Sequence, residues 1–168
     1  MKQLLYIDLF CGAGGTSTGV EKARISGKKC AQVIACVNHD PNAIASHAAN
    51  HPEALHFTED IRTLDLTDLT KLVEDKRDES PNDMIVLWAS LECTNFSKAK
   101  GGQPRDADSR TLAEHLFRYI EALDPDYIYI ENVEDFMCWG NLDEKGKPVS
   151  KDKGRLYLKW VQNVCHYG

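Results

Sequence analysis

The sequence predicts an α/β fold, a doubly wound and mostly parallel sheet with helices on both faces. Three observations predict it. Short apolar runs alternate with helical stretches almost from the first residue. One run, residues 83–89 (DMIVLWA), has no polar alternation, so both faces of that strand are covered, as in parallel sheets. A glycine-rich turn closes the first run before the first helix, and such sheets bind ligands beyond the carboxyl ends of their strands.

The elements follow in order. Residues 4–10 form an apolar run ending in Cys-Gly-Ala-Gly-Gly, a buried strand followed by a turn. Residues 16–24 are helical, ending near Gly27, and residues 32–37 (QVIACV) are the second strand. Asp40-Pro41 starts a helix that runs to about Asn50, proline being suited to a first helical turn. Residues 55–58 are a brief third strand. Residues 66–78 are a helix with Leu66, Leu69, Leu72 and Val73 on one face. After the fourth strand at 83–89, residues 97–105 are a polar, glycine-containing loop and 109–123 a helix. Residues 126–130 (DYIYI) are the fifth strand, 141–152 a charged loop with Gly146 and Pro148, and 155–167 a last helix before Gly168.

Right-handed crossovers turn this order into a Rossmann-like sandwich. The sandwich is truncated after the fifth strand and its following helix. Another strand is due where the sequence stops, so a truncated, split or trimmed chain is expected.

Length and composition fit one globular domain: 168 residues, 42% hydrophobic and 27% charged. The net charge of -6 excludes a globally basic nucleic-acid footprint, so any basic surface is local or lies in protein beyond this sequence. Six cysteines stand at 11, 30, 36, 93, 138 and 165. None pairs as Cys-x-x-Cys, and no histidine pair completes a zinc pattern, so no metal is expected and the thiols read as reduced. Lys2 precedes Leu4, Leu5, Tyr6 and Ile7, but Asp8 interrupts that run, so no signal peptide is read. No stretch is long enough to span a membrane. A cytoplasmic protein follows.

Glycine after the first strand lets the backbone turn tightly and lets a ligand approach, while the next helix points its N-terminal N–H groups at the same space. The turn lacks the Gly-Lys-Ser/Thr of a phosphate loop, and a ligand with a carboxylate and a sugar fits it better than a triphosphate. Asp8-Leu9-Phe10-Cys11-Gly12-Ala13-Gly14-Gly15 resembles the first motif of DNA cytosine-C5 methyltransferases, which binds S-adenosylmethionine. The resemblance implies that Phe10 packs on this cofactor and that Gly12, Ala13, Gly14 and Gly15 contact its methionine part. It implies ribose contacts from Asn38, where the family has an acidic residue, and stacking of His39 on adenine. It further implies that Asp60 accepts from the adenine amino group and that Ile61 packs on the ring.

After the fourth strand, Cys93-Thr94-Asn95-Phe96-Ser97 is similar to the family's Pro-Cys, two residues, Phe-Ser motif, with Glu92 standing in place of the proline. After the fifth strand, Glu131-Asn132-Val133 resembles its Glu-Asn-Val motif. The implied catalytic residues are Cys93 as nucleophile, Glu131 at the base, and Arg110, in Asp108-Ser109-Arg110-Thr111-Leu112, positioning the pocket. The fourth and fifth strands would lie side by side, bringing Cys93 and Glu131 together. Carbon 5 of cytosine is a poor nucleophile. A thiolate adding at carbon 6 makes it enamine-like, and a carboxyl group at N3 stabilises the electron flow. Such chemistry needs the cytosine flipped out of double-stranded DNA. Between the motifs, Ser97, Lys98, Lys100, Gly101, Gly102 and Arg105 belong to the loop that the family closes over DNA. Glu92 lacks proline's fixed φ, and its charge tends to raise the thiol pKa. The other five cysteines read as small buried hydrophobes.

The resemblance covers the chain from Asp8 to its last helix but only the first part of the family, whose target-recognition domain is absent. The expected partners are DNA and a C-terminal partner chain carrying that domain. Bacterial restriction-modification and phage enzymes are the implied source. Two alternatives stand beside this reading: a catalytically silent S-adenosylmethionine-binding fragment or partner-binding module, and a transfer-RNA cytosine substrate.

Overall fold

β1 (Leu4–Leu9) is the central strand of a five-stranded sheet: Leu5, Ile7 and Leu9 line one face and are all buried, and Asp8 on the opposite face is buried as well. The computed structural model describes residues 2–91, 112–145 and 149–167. After β1 come α1 (Gly15–Lys22), a two-residue pair β2 (Arg24–Ile25) and β3 (Lys28–Lys29), then β4 (Ala31–Asn38), α2 (Pro41–Asn50), β5 (Leu55–Thr58), α3 (Thr67–Glu79) and β6 (Met84–Ser90). A short 3₁₀ turn, Leu112–His115, leads into α4 (Leu116–Leu123), followed by β7 (Tyr127–Glu131), a second 3₁₀ segment at Glu134–Cys138, a third at Ser150–Asp152, and α5 (Arg155–Val164).

The described chain divides into two compact units: residues 1–90 with 118–130, and residues 91–117 with 131–168. The first unit holds the sheet, in the order β5-β4-β1-β6-β7. β1 pairs parallel with β4 and with β6, and β4 parallel with β5. The strand order reverses at β1, as a doubly wound sheet requires, and the fourth and fifth strands of the sequence reading, β6 and β7, are neighbours as expected. α1 packs on β4, and α2 on β4 and β5. Asp40 caps α2 through Asn42 N–H, 2.9 Å from its Oδ1, with Pro41 in the first turn. α3 buries Leu69 and Val73, two of the four residues its apolar stripe named.

The second unit has an aromatic core of its own. Phe136 stacks on Trp139 at 5.6 Å between ring centres and meets Tyr157 and Trp160 edge-on at 5.6 and 5.3 Å. Trp160 donates from Nε1 to the Ala113 carbonyl at 2.9 Å. A Cβ on Gly140 would stand 2.1 Å from the Asp152 carbonyl oxygen, so only glycine fits that crossing.

Three details depart from the sequence reading. The first helix stops at Lys22, and the following residues make a hairpin around Ser26 and Gly27, both at positive φ. The last helix ends at Val164. Cys11, Cys30 and Cys36 are buried as expected, but Cys165 is exposed and Cys138 only half-buried, both sitting at or just beyond helix ends.

Candidate cofactor site and its buried support

The glycine turn leaves the carboxyl end of β1 through three left-handed residues, Phe10 (φ 60), Gly12 (φ 51) and Gly14 (φ 93). The phenylalanine tolerates this strained conformation because its neighbours are tied: Cys11 N–H reaches the Val37 carbonyl at 3.3 Å, and Gly14 N–H the Cys11 carbonyl at 3.0 Å. Phe10 is half-buried, Ala13 and Gly15 are exposed, and added Cβ atoms at Gly12 and Gly15 would meet nothing within 4 Å. A ligand therefore has open backbone on both sides of the turn. Gly14 caps α1 without a side-chain hydrogen bond, and the first turn carries no acidic residue, so its N–H groups favour an anion.

The next two segments stand beside this turn. β4 ends at Asn38 and β5 at Thr58, paired in register, and Glu59 N–H donates to the Asn38 carbonyl at 3.1 Å. Asn38 Oδ1 accepts from Asp40 N–H at 2.9 Å, which leaves the amide NH₂ as its outward donor. His39 is exposed. Asp60 is gripped by Arg62: Nε lies 3.0 Å from each carboxylate oxygen and Nη2 2.6 Å from Oδ2. That fork, with a smaller contribution from the nearby His39, holds the Asp60 carboxyl down at about 2. Ile61 is buried, and its carbonyl accepts from Tyr119 Oη and Arg118 Nη1, both at 3.0 Å. Arg118 also bonds the carbonyls of Arg62 and Leu64, at 2.5 and 2.9 Å. Sequence reasoning missed Arg118 and Tyr119 because their targets are backbone atoms some 55 positions away, for which no motif exists.

Of the sequence-predicted cofactor residues, Phe10, Gly12, Ala13, Gly14, Gly15, Asn38, His39, Asp60 and Ile61 thus lie in one rim of turns after β1, β4 and β5. Glu131 is exposed at the end of β7, its carbonyl accepting from Leu91 N–H at 3.2 Å. Next to it, Asn132 turns its Oδ1 onto Val133 N–H at 2.8 Å. Cys93, Ser97, Lys98, Lys100, Gly101, Gly102, Arg105 and Arg110 lie outside the described residues.

Beneath the rim runs a buried polar chain. Asp8, 1% exposed, accepts from Ser17 Oγ at 2.6 Å, and Ser17 Oγ lies 2.9 Å from His47 Nε2. His47 Nδ1 lies 2.9 Å from His56 Nε2 and 3.5 Å from Cys36 Sγ. Burial raises the Asp8 carboxyl to about 6, against the Ser17 hydrogen bond, and lowers the His47 ring to about 4, so the imidazole is neutral at pH 7.

Among the described residues no helix is long and apolar enough to cross a membrane. The chain is 34% identical over 165 residues to the type II methyltransferase M.AgeI of Thalassovita gelatinovora, covering 96% of this chain and 36% of that protein. It is 30% identical over 180 residues to a DNA-cytosine methyltransferase of Escherichia coli, covering 97% and 34%. In structure it is similar to a DNA modification methyltransferase encoded within an Escherichia coli prophage, with TM-score 0.64, 27% identity, and coverage of 98% of this chain and 38% of that one. The chain spans about a third of the length of these relatives. Residues 4–141 match the C-5 cytosine-specific DNA methylases, and the chain belongs to that family.

Proposed function

We propose that this chain is the cofactor-binding and nucleophile-bearing part of an enzyme that methylates carbon 5 of cytosine in double-stranded DNA. The observation that carries the proposal is the left-handed turn at Phe10, Gly12 and Gly14, with open space over Gly12 and Gly15 and an uncapped helix behind it. The fit to S-adenosylmethionine is chemical. A carboxylate suits the α1 N-terminus, hydroxyls suit the Asn38 amide, and an exocyclic amine suits the ionised Asp60. His39 and Phe10 offer ring faces to the adenosine, with Ile61 beneath the Asp60 segment.

When bound, S-adenosylmethionine supplies an electrophilic methyl group. The chain's own residues prepare the acceptor. Cys93 as thiolate adds to carbon 6 of a flipped cytosine, forming a C–S bond and pushing electrons toward N3, where Glu131 stabilises or protonates the ring. Once carbon 5 carries the methyl group, loss of its proton to solvent expels the Cys93 thiolate and restores the aromatic base. By the family resemblance, Arg110 would position the pocket, and Ser97, Lys98, Lys100, Gly101, Gly102 and Arg105 would belong to the loop that closes over DNA. The remaining two thirds, by the length of the relatives, would come from a C-terminal partner chain or continuation that carries target recognition.

Asn38 and Glu92, which depart from the motifs, favour a second reading, a silent S-adenosylmethionine-binding module. Calorimetric titration of S-adenosylmethionine into a chain that melts cooperatively tests the shared part of both. Saturable one-to-one binding supports the cofactor site, and a folded chain that takes up none refutes it. A methylation assay with the missing part supplied separates the readings, with transfer RNA as the competing substrate.

A further inference from the structure

The turn that meets the cofactor rim also carries a thiol pointing the other way, into a cluster the proposed methyl-transfer chemistry does not use. Cys11 Sγ, Cys36 Sγ and a ring nitrogen of His47 all lie within 4.8 Å of one another, and all three residues are buried. His56 Nε2 approaches the same His47 nitrogen that faces Cys36. The donors come from the glycine turn, β4, α2 and β5, and all lie within the first unit.

The hydrogen-bond order places the lone pair of His47. Ser17 gives its single hydrogen to Asp8, so its oxygen accepts from His47 Nε2–H. The lone pair of the neutral ring is then on Nδ1, which faces His56 Nε2 at 2.9 Å and Cys36 Sγ at 3.5 Å. A carboxylate that orients a histidine through its far nitrogen is the outer-shell arrangement of metal-ligating histidines. Distance agrees: tetrahedral zinc with ordinary Zn–S and Zn–N bonds separates sulfur from nitrogen by about 3.5 Å, and Cys36 Sγ stands 3.5 Å from His47 Nδ1. A second, independent sign is an orphaned polar atom. Asp8 is 1% exposed, and its Oδ1 has no hydrogen-bond partner among the described residues. A buried polar atom left unsatisfied at the head of the Asp8–Ser17–His47 chain is the kind found at functional sites.

We propose that Cys11, Cys36 and His47 form a structural site for a thiophilic divalent cation, zinc foremost, with His56 the nearest further donor. Two thiols and an imidazole select such an ion over magnesium or calcium, which take oxygen ligands. Binding forms two metal–thiolate bonds and releases the two thiol protons to solvent. The ion would tie the cofactor turn to β4 and α2 from below.

The test uses this chain with Cys165→Ser, which removes the exposed thiol, stripped of metal and then dialysed against cobalt(II) or zinc. One cobalt per chain is expected, with thiolate-to-cobalt charge-transfer absorption and the visible bands of tetrahedral geometry, together with a higher melting temperature in zinc. Cys36→Ser should lose the charge-transfer band. Ser17→Ala keeps every ligand, and should fold while binding zinc about tenfold more weakly. A cooperatively melting chain that takes up no cobalt, or a charge-transfer band unchanged in folded Cys36→Ser, overturns the site. Should Cys36→Ser fail to fold, the wild-type spectrum and the Ser17→Ala affinity still decide, and an undiminished Ser17→Ala affinity overturns the orienting chain.

Discussion

A Cβ placed on Gly14 would lie 3.0 Å from Cδ2 of His47 and 3.2 Å from two ring atoms of His51. The cofactor turn and the histidine cluster below it therefore share one wall. Gly14 is fixed twice, by its φ of 93 and by this contact, whereas Gly15 is fixed by neither. Gly14→Ala should lower stability by about 1–3 kcal/mol and shift the histidine resonances in NMR spectra. Gly15→Ala should melt at or slightly above the parent temperature, gaining up to about 1 kcal/mol, yet weaken S-adenosylmethionine binding by occupying the open space. Equal melting temperatures for the two variants would contradict this division.

Asp60 supplies the pH dependence. Its folded value is depressed to about 2 from the ordinary 3.8, so its contribution to the fold is complete above 3.8 and fades as pH falls through about 2. Asp60 is thus ionised throughout pH 4–8. Asp60→Asn should weaken S-adenosylmethionine by about tenfold, and by the same factor at pH 5 and pH 8. A ratio that changes across that window would move the titrating group elsewhere.

Arg118 closes the loop that presents Asp60, donating to three backbone carbonyls at once. Arg118→Met leaves the part-buried carbonyls of Ile61 and Leu64 and the exposed one of Arg62 short of a partner, at a cost of roughly 1–3 kcal/mol. Arg118→Lys should recover little, since a point ammonium cannot span three acceptors as the planar fork does. Urea denaturation and cofactor titration should both register the loss. A change in stability with unchanged affinity would mean that the loop holds its shape without Arg118.

Cys93→Ala separates binding from chemistry. Methyl transfer by an enzyme completed with the missing part should fall to background, while the affinity of this chain for S-adenosylmethionine stays within about twofold, since the cofactor rim contains no Cys93 contact in the proposed scheme. Substantial turnover would remove Cys93 as the nucleophile.

The sheet was legible because its strands are short, apolar and separated by helices: β5 was read to the residue, and β6 lacks alternation because it is an inner strand. α2 announced itself through Asp40-Pro41. The β2–β3 hairpin was not read, since Arg24, Ile25, Lys28 and Lys29 are all exposed and carry no hydrophobic period, although Ser26-Gly27 is a turn dipeptide. Nor could sequence give a left-handed Phe10, a conformation imposed by tertiary bonds on a residue that disfavours it. The Cys11, Cys36 and His47 cluster escaped for a related reason. Its members are distant in sequence, so the expectation of no metal rested on local spacing, and strand order alone brings them together.

The Ser26–Gly27 tip also offers an experimental handle. Its hydrogen bonds are local to β2 and β3, and its side chains face solvent, whereas one turn away Glu21 already holds Lys29 and the Val33 N–H. A fluorophore or short peptide tag grafted at that tip would ride on the first unit without entering its core. It would let the seating of the proposed C-terminal partner, expressed separately, be followed by energy transfer.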